Sequence, residues 1–220
     1  MRKQQASGVL AALLDLVLPR TCSGCAADGP LLCPDCRSVL RAQPLGRVRP
    51  TPCPEGLPDV RALTSYEGPV QRLLLAHKER GQLGLTRPLG AGLASAVRSL
   101  HVGEVVLCPV PSSPKAVRQR GHDHAMRLAR AAARDLGVPA LRLLVPTRSV
   151  ADQAGLTTGE RARNLAGALR GIGTPGRPVV VVDDVMTTGA TLVEAARALA
   201  AQGHSVAGSA VVAATKRRAT

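Results

Sequence analysis

The sequence predicts an α/β fold: a domain built on a parallel sheet, preceded by a small cysteine-rich module. Three observations carry that prediction. Val179–Val182 is a run of four valines, as in a strand buried on both faces, which is the habit of parallel sheets. It leads through a polar turn, Thr187-Thr188-Gly189-Ala190-Thr191, into LVEAARALAAQ, a strong helix former. Strand-like and helix-like segments alternate from Val60 onward, the pattern of right-handed parallel connections. Ahead of them stand Cys22-x-x-Cys25 and Cys33-x-x-Cys36.

The chain has 220 residues, enough to bury a real core in one domain with a small attachment. Apolar residues make up 45%, yet there is no Phe or Trp and one Tyr, so the core is aliphatic. The net charge is +14, with 29 basic against 15 acidic residues. Such a balance suggests a polyanionic partner such as nucleic acid. A phosphate-handling site and an arginine-rich composition bias are the plainer source of the same charge.

Residues 1–20 open with Arg2 and Lys3 before an apolar run, Val9–Leu18. Asp15 interrupts the run, and it is shorter than the ~20 apolar residues of a membrane span. We read Gly8–Leu18 as an amphipathic helix ending at Pro19, in a cytoplasmic chain. Residues 21–58 form the next unit. Its paired Cys-x-x-Cys hooks, Cys22, Cys25, Cys33 and Cys36, are the ligand set of a closed structural zinc site. A segment this short buries little core, so a metal supplies the folding energy. Disulfides or a redox dithiol are the alternatives, and a reducing compartment argues against the first. Cys53 and Cys108 read as small buried apolar residues. Arg41–Pro58 is rich in proline and reads as a linker, which puts the domain boundary at its end.

Residues 59–220 then read as follows. Val60–Tyr66 is a strand, Val70–His77 and Leu89–Leu100 are helices, and Glu104–Cys108 is a strand ending in Pro109-Val110-Pro111-Ser112. The basic stretch Lys115–His122 precedes a helix over Asp123–Leu136. Leu141–Val145 is a strand, and Gln153–Asn164 runs from loop into helix. The valine strand, its helix and a last strand over Ser205–Ala214 complete the sheet. In parallel sheets ligands sit off the carboxyl ends of strands, where Asp183 and the loop after Cys108 share one end.

The turn Thr187–Thr191 surrounds one concavity with backbone amides, a helix N-terminus and hydroxyls, and that suits a phosphate. Asp183 and Asp184 cannot serve an anion. As acceptors they suit the vicinal hydroxyls of a ribose, with a divalent cation nearby. An ordinary capped turn is the bland alternative. No Gly-Lys-Ser or Gly-Lys-Thr loop occurs, which excludes a Walker site.

VVVVDDVMTTGAT resembles the phosphoribosyl-pyrophosphate (PRPP) signature of type I phosphoribosyltransferases. The longer pattern resembles the ComF family of competence-associated, phosphoribosyltransferase-like proteins with an N-terminal zinc ribbon. That pattern includes the four cysteines, Tyr66-Glu67-Gly68-Pro69, His77-Lys78-x-x-Gly81, Cys108-Pro109-Val110-Pro111 and Arg118-x-Arg120-Gly121-His122. It continues through Gln153, Arg161-x-x-Asn164 and the Asp183–Thr191 signature. His122-Asp123 and Lys78-Glu79-Arg80-Gly81 depart from it, each lacking the aromatic residue the family usually has there.

The resemblance implies PRPP binding with Mg²⁺ and transfer of ribose 5-phosphate to an acceptor. Asp183, Asp184, Lys115, Arg118 and Arg120 are the candidate catalytic residues. Thr187, Thr188, Gly189, Ala190, Thr191, Pro109, Val110, Pro111, Ser112 and Lys78 are the candidate PRPP contacts, with Arg80 a further basic candidate. It also implies association with DNA uptake or processing. The alternative is a non-catalytic adaptor that binds single-stranded DNA or a helicase partner. Assembly as a homo-oligomer stays open. His122 and His124 have only Asp123 as an acidic neighbour, which argues against a metal site, and Gln153, Arg161 and Asn164 suit structural hydrogen bonding.

Overall fold

The computed structural model describes residues 21–147 and 165–215. The helix expected over Gly8–Leu18 lies outside the described residues, as do Gln153, Arg161 and Asn164. The main sheet has five strands in the order β1-β2-β7-β6-β3. These are β1 (Gly46–Arg47), β2 (Val60–Ser65), β3 (Val106–Pro109), β6 (Val179–Met186) and β7 (Val206–Ala214). The strands β2, β7, β6 and β3 run parallel, and β1 pairs antiparallel at the edge. The sheet sits between α2 (Gly68–Glu79), α3 (Thr86–Arg98) and α5 (His124–Leu136) on one face and α6 (Ala190–Ala201) on the other.

The valine run explains this layering. Val180 and Val182 join the apolar cluster of α2, α3 and α5, while Val179 and Val181 join that of α6. Alternate residues of a strand face opposite sides, so a strand covered twice must be apolar throughout. All four valines are at most 1% exposed, and each contributes roughly 1.5–3 kcal/mol of burial. Across the first face, α3 and α5 nearly touch at Gly90, where an added Cβ would lie 2.4 Å from that of Ala131. Only a residue without a side chain lets the two backbones approach so closely.

Several elements differ from the sequence expectation. The helices α2 and α3 begin earlier than expected, with Pro69 and Pro88 in their first turns, where a missing N–H costs nothing. The basic stretch forms α4 (Pro114–Arg120), with Ser113 accepting from the Ala116 N–H at its start. Asp123 is the N-cap of α5 rather than its first residue, accepting from the Met126 N–H. The strand expected at Leu141–Val145 is β4 (Leu144–Pro146), and it pairs antiparallel with an unanticipated β5 (Leu169–Gly171). The proline-rich stretch is not a free linker: it contains β1, and Pro54 and Leu57 pack behind Gly189. Cys108 is buried as expected, but Cys53 is exposed in that stretch.

The cysteine module contributes α1 (Pro34–Val39). Its buried Cys22, Leu32, Cys36 and Leu40 belong to the same apolar cluster as Leu73, Leu74 and Leu85. The Arg72 guanidinium donates to the Gly24 carbonyl, which ties α2 to the first cysteine hook. Among the described residues, no helix is long and apolar enough to cross a membrane.

Candidate functional site

A cleft of ≈ 370 Å³ opens at the carboxyl ends of β2, β3 and β6. Its walls combine Lys78 and Glu79 from α2, Val110 to Ser112 from the loop after β3, and His124 from α5. Asp183, Asp184 and Thr187 supply the β6 side, and Tyr66, the sole aromatic of the chain, stands at the end of β2. The parallel strands aim these loops at one point, as strand-end chemistry requires.

The two acids have different surroundings. Asp184 is 6% exposed, and its Oδ2 lies 3.4 Å from Lys78 Nζ and 3.5 Å from His124 Nε2. Burial alone would raise its pKa, but the His124 hydrogen bond and the Lys78 charge reverse that and hold it below the usual carboxylate range. Asp183 is half-buried, and its Oδ1 accepts from the Asp184 N–H at 2.9 Å. Burial and the adjacent Asp184 charge push its carboxyl well above the usual range. Lys78 is raised as well: desolvation would lower it, and Asp184, then Asp183, outweigh that.

His124 is the residue that sequence reasoning missed. It is 5% exposed, and its Nδ1 lies 3.3 Å from Arg120 Nη1 and 3.3 Å from Ser112 Oγ. A guanidinium can only donate, so Nδ1 accepts and the ring proton sits on Nε2, toward Asp184. His124 thus links the loop after β3, the basic helix α4 and the β6 acid. The available signal was Ser112, Arg120 and Asp184 each falling at a strand-end loop or helix terminus, but no sequence spacing joins them. Next to it, His77 is 1% exposed and bonds Thr86 Oγ1 at 3.0 Å. Burial, then the neighbouring histidines, bring its pKa down to about 4, so it is neutral near pH 7.

The basic residues fall out less simply. Lys78 reaches the acids. Arg120 does not stand free for an anion, because Glu79 grips it through two bonds of 3.0 and 2.9 Å. Arg118 and Arg80 are exposed and do not line the cleft. Lys115 belongs to α4, and its side chain lies outside the described residues. Pro109 is buried as the last residue of β3.

Past Thr187 the chain turns through Thr188 and Gly189 into α6. Gly189 has φ +80° and no room for a side chain, since a Cβ would meet Leu57 Cδ1 at 2.8 Å. As the N-cap residue it offers no side-chain acceptor, and Thr188 Oγ1 takes the Ala190 N–H at a long 3.4 Å. The Ala190 N–H is thus weakly engaged, while the next amides of α6, with Thr191 among them, have no intrahelical acceptor and can take an external anion; of this turn, only Thr187 lines the cleft.

Residues 123–220 match the phosphoribosyl transferase domain family. The phosphoribosyl transferase domain so matched begins at Asp123 and takes in α5, both acids and the Thr187–Thr191 turn; Lys78, Ser112 and the cysteine module lie outside it. A search of curated proteins found no match. Among solved structures, UMP synthase of Leishmania donovani is similar at 22% identity over 66% of this chain, with a TM-score of 0.39. The chain spans 24% of that protein's length. Adenine phosphoribosyltransferase of Leishmania donovani is similar at 12% identity, over 81% of this chain and 67% of its own, with a TM-score of 0.39. The Leishmania tarentolae enzyme gives 14%, 78%, 70% and 0.37 for the same measures. Likeness at that level says nothing of activity.

Apart from the phosphoribosyl transferase domain, the Sγ atoms of Cys22, Cys25, Cys33 and Cys36 all lie within 4.8 Å of one another. Metal–sulfur bonds of about 2.3 Å place tetrahedral thiolates roughly 3.8 Å apart; Cys25 and Cys33 are 3.6 Å apart. Gly24 has no alternative here, because a Cβ would stand 2.6 Å from Cys36 Sγ. Burial opposes ionisation of Cys22, yet the N–H groups of Cys33, Cys25 and Gly24 bring its thiol down to about 6. Burial and the neighbouring sulfurs push Cys36 up. The four cysteines fit a tetrahedral metal.

Proposed function

We propose that the cleft binds PRPP with Mg²⁺ and supports transfer of its ribose 5-phosphate to an acceptor, as in a phosphoribosyltransferase. One observation carries this reading: Lys78, the loop after β3, both acids and Thr187, just ahead of α6, converge at the carboxyl ends of adjacent parallel strands.

In that reading the amides at Thr187–Thr191 hold the 5′-phosphate, and the carboxylates accept from the ribose hydroxyls. The bond between the anomeric carbon and pyrophosphate breaks with its electron pair leaving on the pyrophosphate. A lone pair of the acceptor closes on the carbon as positive charge develops in the ring. Lys78 exchanges Asp184 for the departing pyrophosphate, and the Val110–Ser112 backbone flanks it. Asp183 has no cation within ion-pair distance among the described residues, so its carboxylate would be the one to hold Mg²⁺. When bound, that ion supplies charge neutralisation to the leaving pyrophosphate.

The cysteine cluster, in residues 21–58, takes a structural Zn²⁺, and residues 59–220 form the catalytic domain. Free thiols suit a cytoplasmic setting. The net charge of +14 favours a second reading, an adaptor role in DNA uptake or processing alongside single-stranded DNA or a helicase.

Calorimetric titration of PRPP and Mg²⁺ tests the first reading. Micromolar binding by the wild type, lost in Asp183→Asn with Asp184→Asn while the circular dichroism is kept, is the expected result. Binding that survives the double change would sink the ribose-anchor assignment.

A further inference from the structure

A second cavity of ≈ 390 Å³ shares no lining residue with the cleft. Arg127, Arg130, Arg134 and Arg142 line it, with Thr86 and His122 beside them. A third, of ≈ 340 Å³, is lined by Arg37, Arg41 and Arg87. Thr86 and Arg87 are consecutive and line one groove each, as do Arg134 and Asp135, so the two grooves flank one ridge. The surface runs from the cysteine module across the start of α3 to α5.

Two acids, Asp123 and Asp135, stand among the arginines of this surface and do not balance them. Asp123 is engaged by Arg142 at 3.0 Å and by the start of α5. Among the described residues, Arg37, Arg41, Arg87, Arg127, Arg130 and Arg134 have no carboxylate within ion-pair distance, and all six are exposed. Clustered like charges repel, so the arrangement is completed by an anion. Arg127, Arg130 and Arg134 lie on one face of α5 and span about 10 Å along it. A nucleic-acid strand carries a phosphate per about 3.4 Å of duplex axis, so that face addresses roughly three.

The grooves also say what the anion is not. The exposed large apolar residues, Leu45, Leu75, Leu83 and Leu141, line neither groove, so an acidic protein would find no anchor there. Tyr66, the sole Phe, Trp or Tyr of the chain, lies in the other cleft, and His122 is the one ring among the groove residues, so stacking adds little here. Guanidinium forks match carboxylate and phosphate geometry alike, and with no apolar anchor beside them a regular run of phosphates is the better fit to their spacing. We infer that the two grooves form one track for the phosphodiester backbone of a nucleic acid, sequence-blind and distinct from the ribose-phosphate cleft. This gives the second reading above a surface, and it does not depend on PRPP binding.

Anisotropy of a labelled mixed-sequence oligonucleotide, single-stranded and as a duplex, tests it with the full-length, metal-loaded protein. Six phosphate contacts on a single strand predict a loss of roughly 10²–10³ in affinity between 50 and 200 mM salt. Arg130→Ala with Arg134→Ala lowers the log–log salt slope by roughly 1.5 for every sequence tried. It leaves PRPP titration and the circular dichroism unchanged, whereas Arg49→Ala with Arg177→Ala leaves the slope unchanged. Arg130→Glu with Arg134→Glu abolishes binding at the higher salt. An unaltered slope in the track variants overturns the proposal. So does competition by a poly-glutamate of equal charge as strong as that of unlabelled DNA, which would make the partner an acidic protein.

Discussion

Cys22, Cys25, Cys33 and Cys36 come from one short segment, and their sulfurs meet because two tight knuckles face each other. Lys78, His124 and Asp184 come from three elements far apart in the chain, and they meet only after the sheet has formed. The first site is local and set by one short segment; the second is non-local and rests on the packed core. The contrast teaches that a site's visibility in sequence follows its contact distance along the chain, not its importance. It also predicts where each site fails.

The largest effect belongs to the cysteines. Cys22→Ser with Cys25→Ser should remove the metal and cost several kcal/mol of stability, read by thermal unfolding beside zinc analysis. Because Cys22 and Cys36 share an apolar cluster with Leu73 and Leu74 of α2, the loss should reach Lys78 and weaken PRPP binding. A variant that loses zinc but keeps full PRPP affinity would show the two sites to be independent.

Next comes Asp184→Asn, which leaves Lys78 and a buried His124 without their anion. Full burial of an ion pair would argue for more, but Lys78 is 34% exposed, so about 2 kcal/mol at pH 7 is the expected loss. The sign follows from the depressed carboxyl. Its contribution is present above the ordinary carboxylate range and is lost as pH falls below it. Urea midpoints of variant and wild type should therefore begin to converge below about pH 4 and go on converging as pH falls toward the depressed value. A gap that does not narrow at all in acid would mean the loss is steric.

The smallest and opposite effect is expected for Asp183→Asn. Burial and Asp184 raise this carboxyl, so the wild type loses stability as pH climbs from the ordinary range toward the raised value. The variant should gain about 1 kcal/mol at pH 8 and nothing at pH 4, while losing PRPP. A destabilised variant at pH 8 would contradict the assigned surroundings of Asp183. One acid holds the cleft together and its neighbour is held in it at a cost.

The same distance rule explains what was legible. The valine run, the cysteine hooks and the acid pair with its Thr-Gly turn are all contiguous, and each predicts its element. β5 is three residues pinned by Glu194, which accepts from the Leu169 N–H, and by Arg197, which donates to the Leu169 carbonyl. Neither contact has a local signature. Arg120 looked like a free cation because Glu79 sits 41 positions away. The proline-rich stretch looked like a tether because its composition does not reveal Leu57 behind Gly189.

The close approach at Gly90 has a mechanical consequence. With only the Ala131 methyl between the two backbones there, α3 and α5 stand close enough to form one plate, and the arginines of both lie along its surface. A flexible strand laid across that plate must adopt the plate's repeat. The protein acts there as the ruler and the strand as the thing measured.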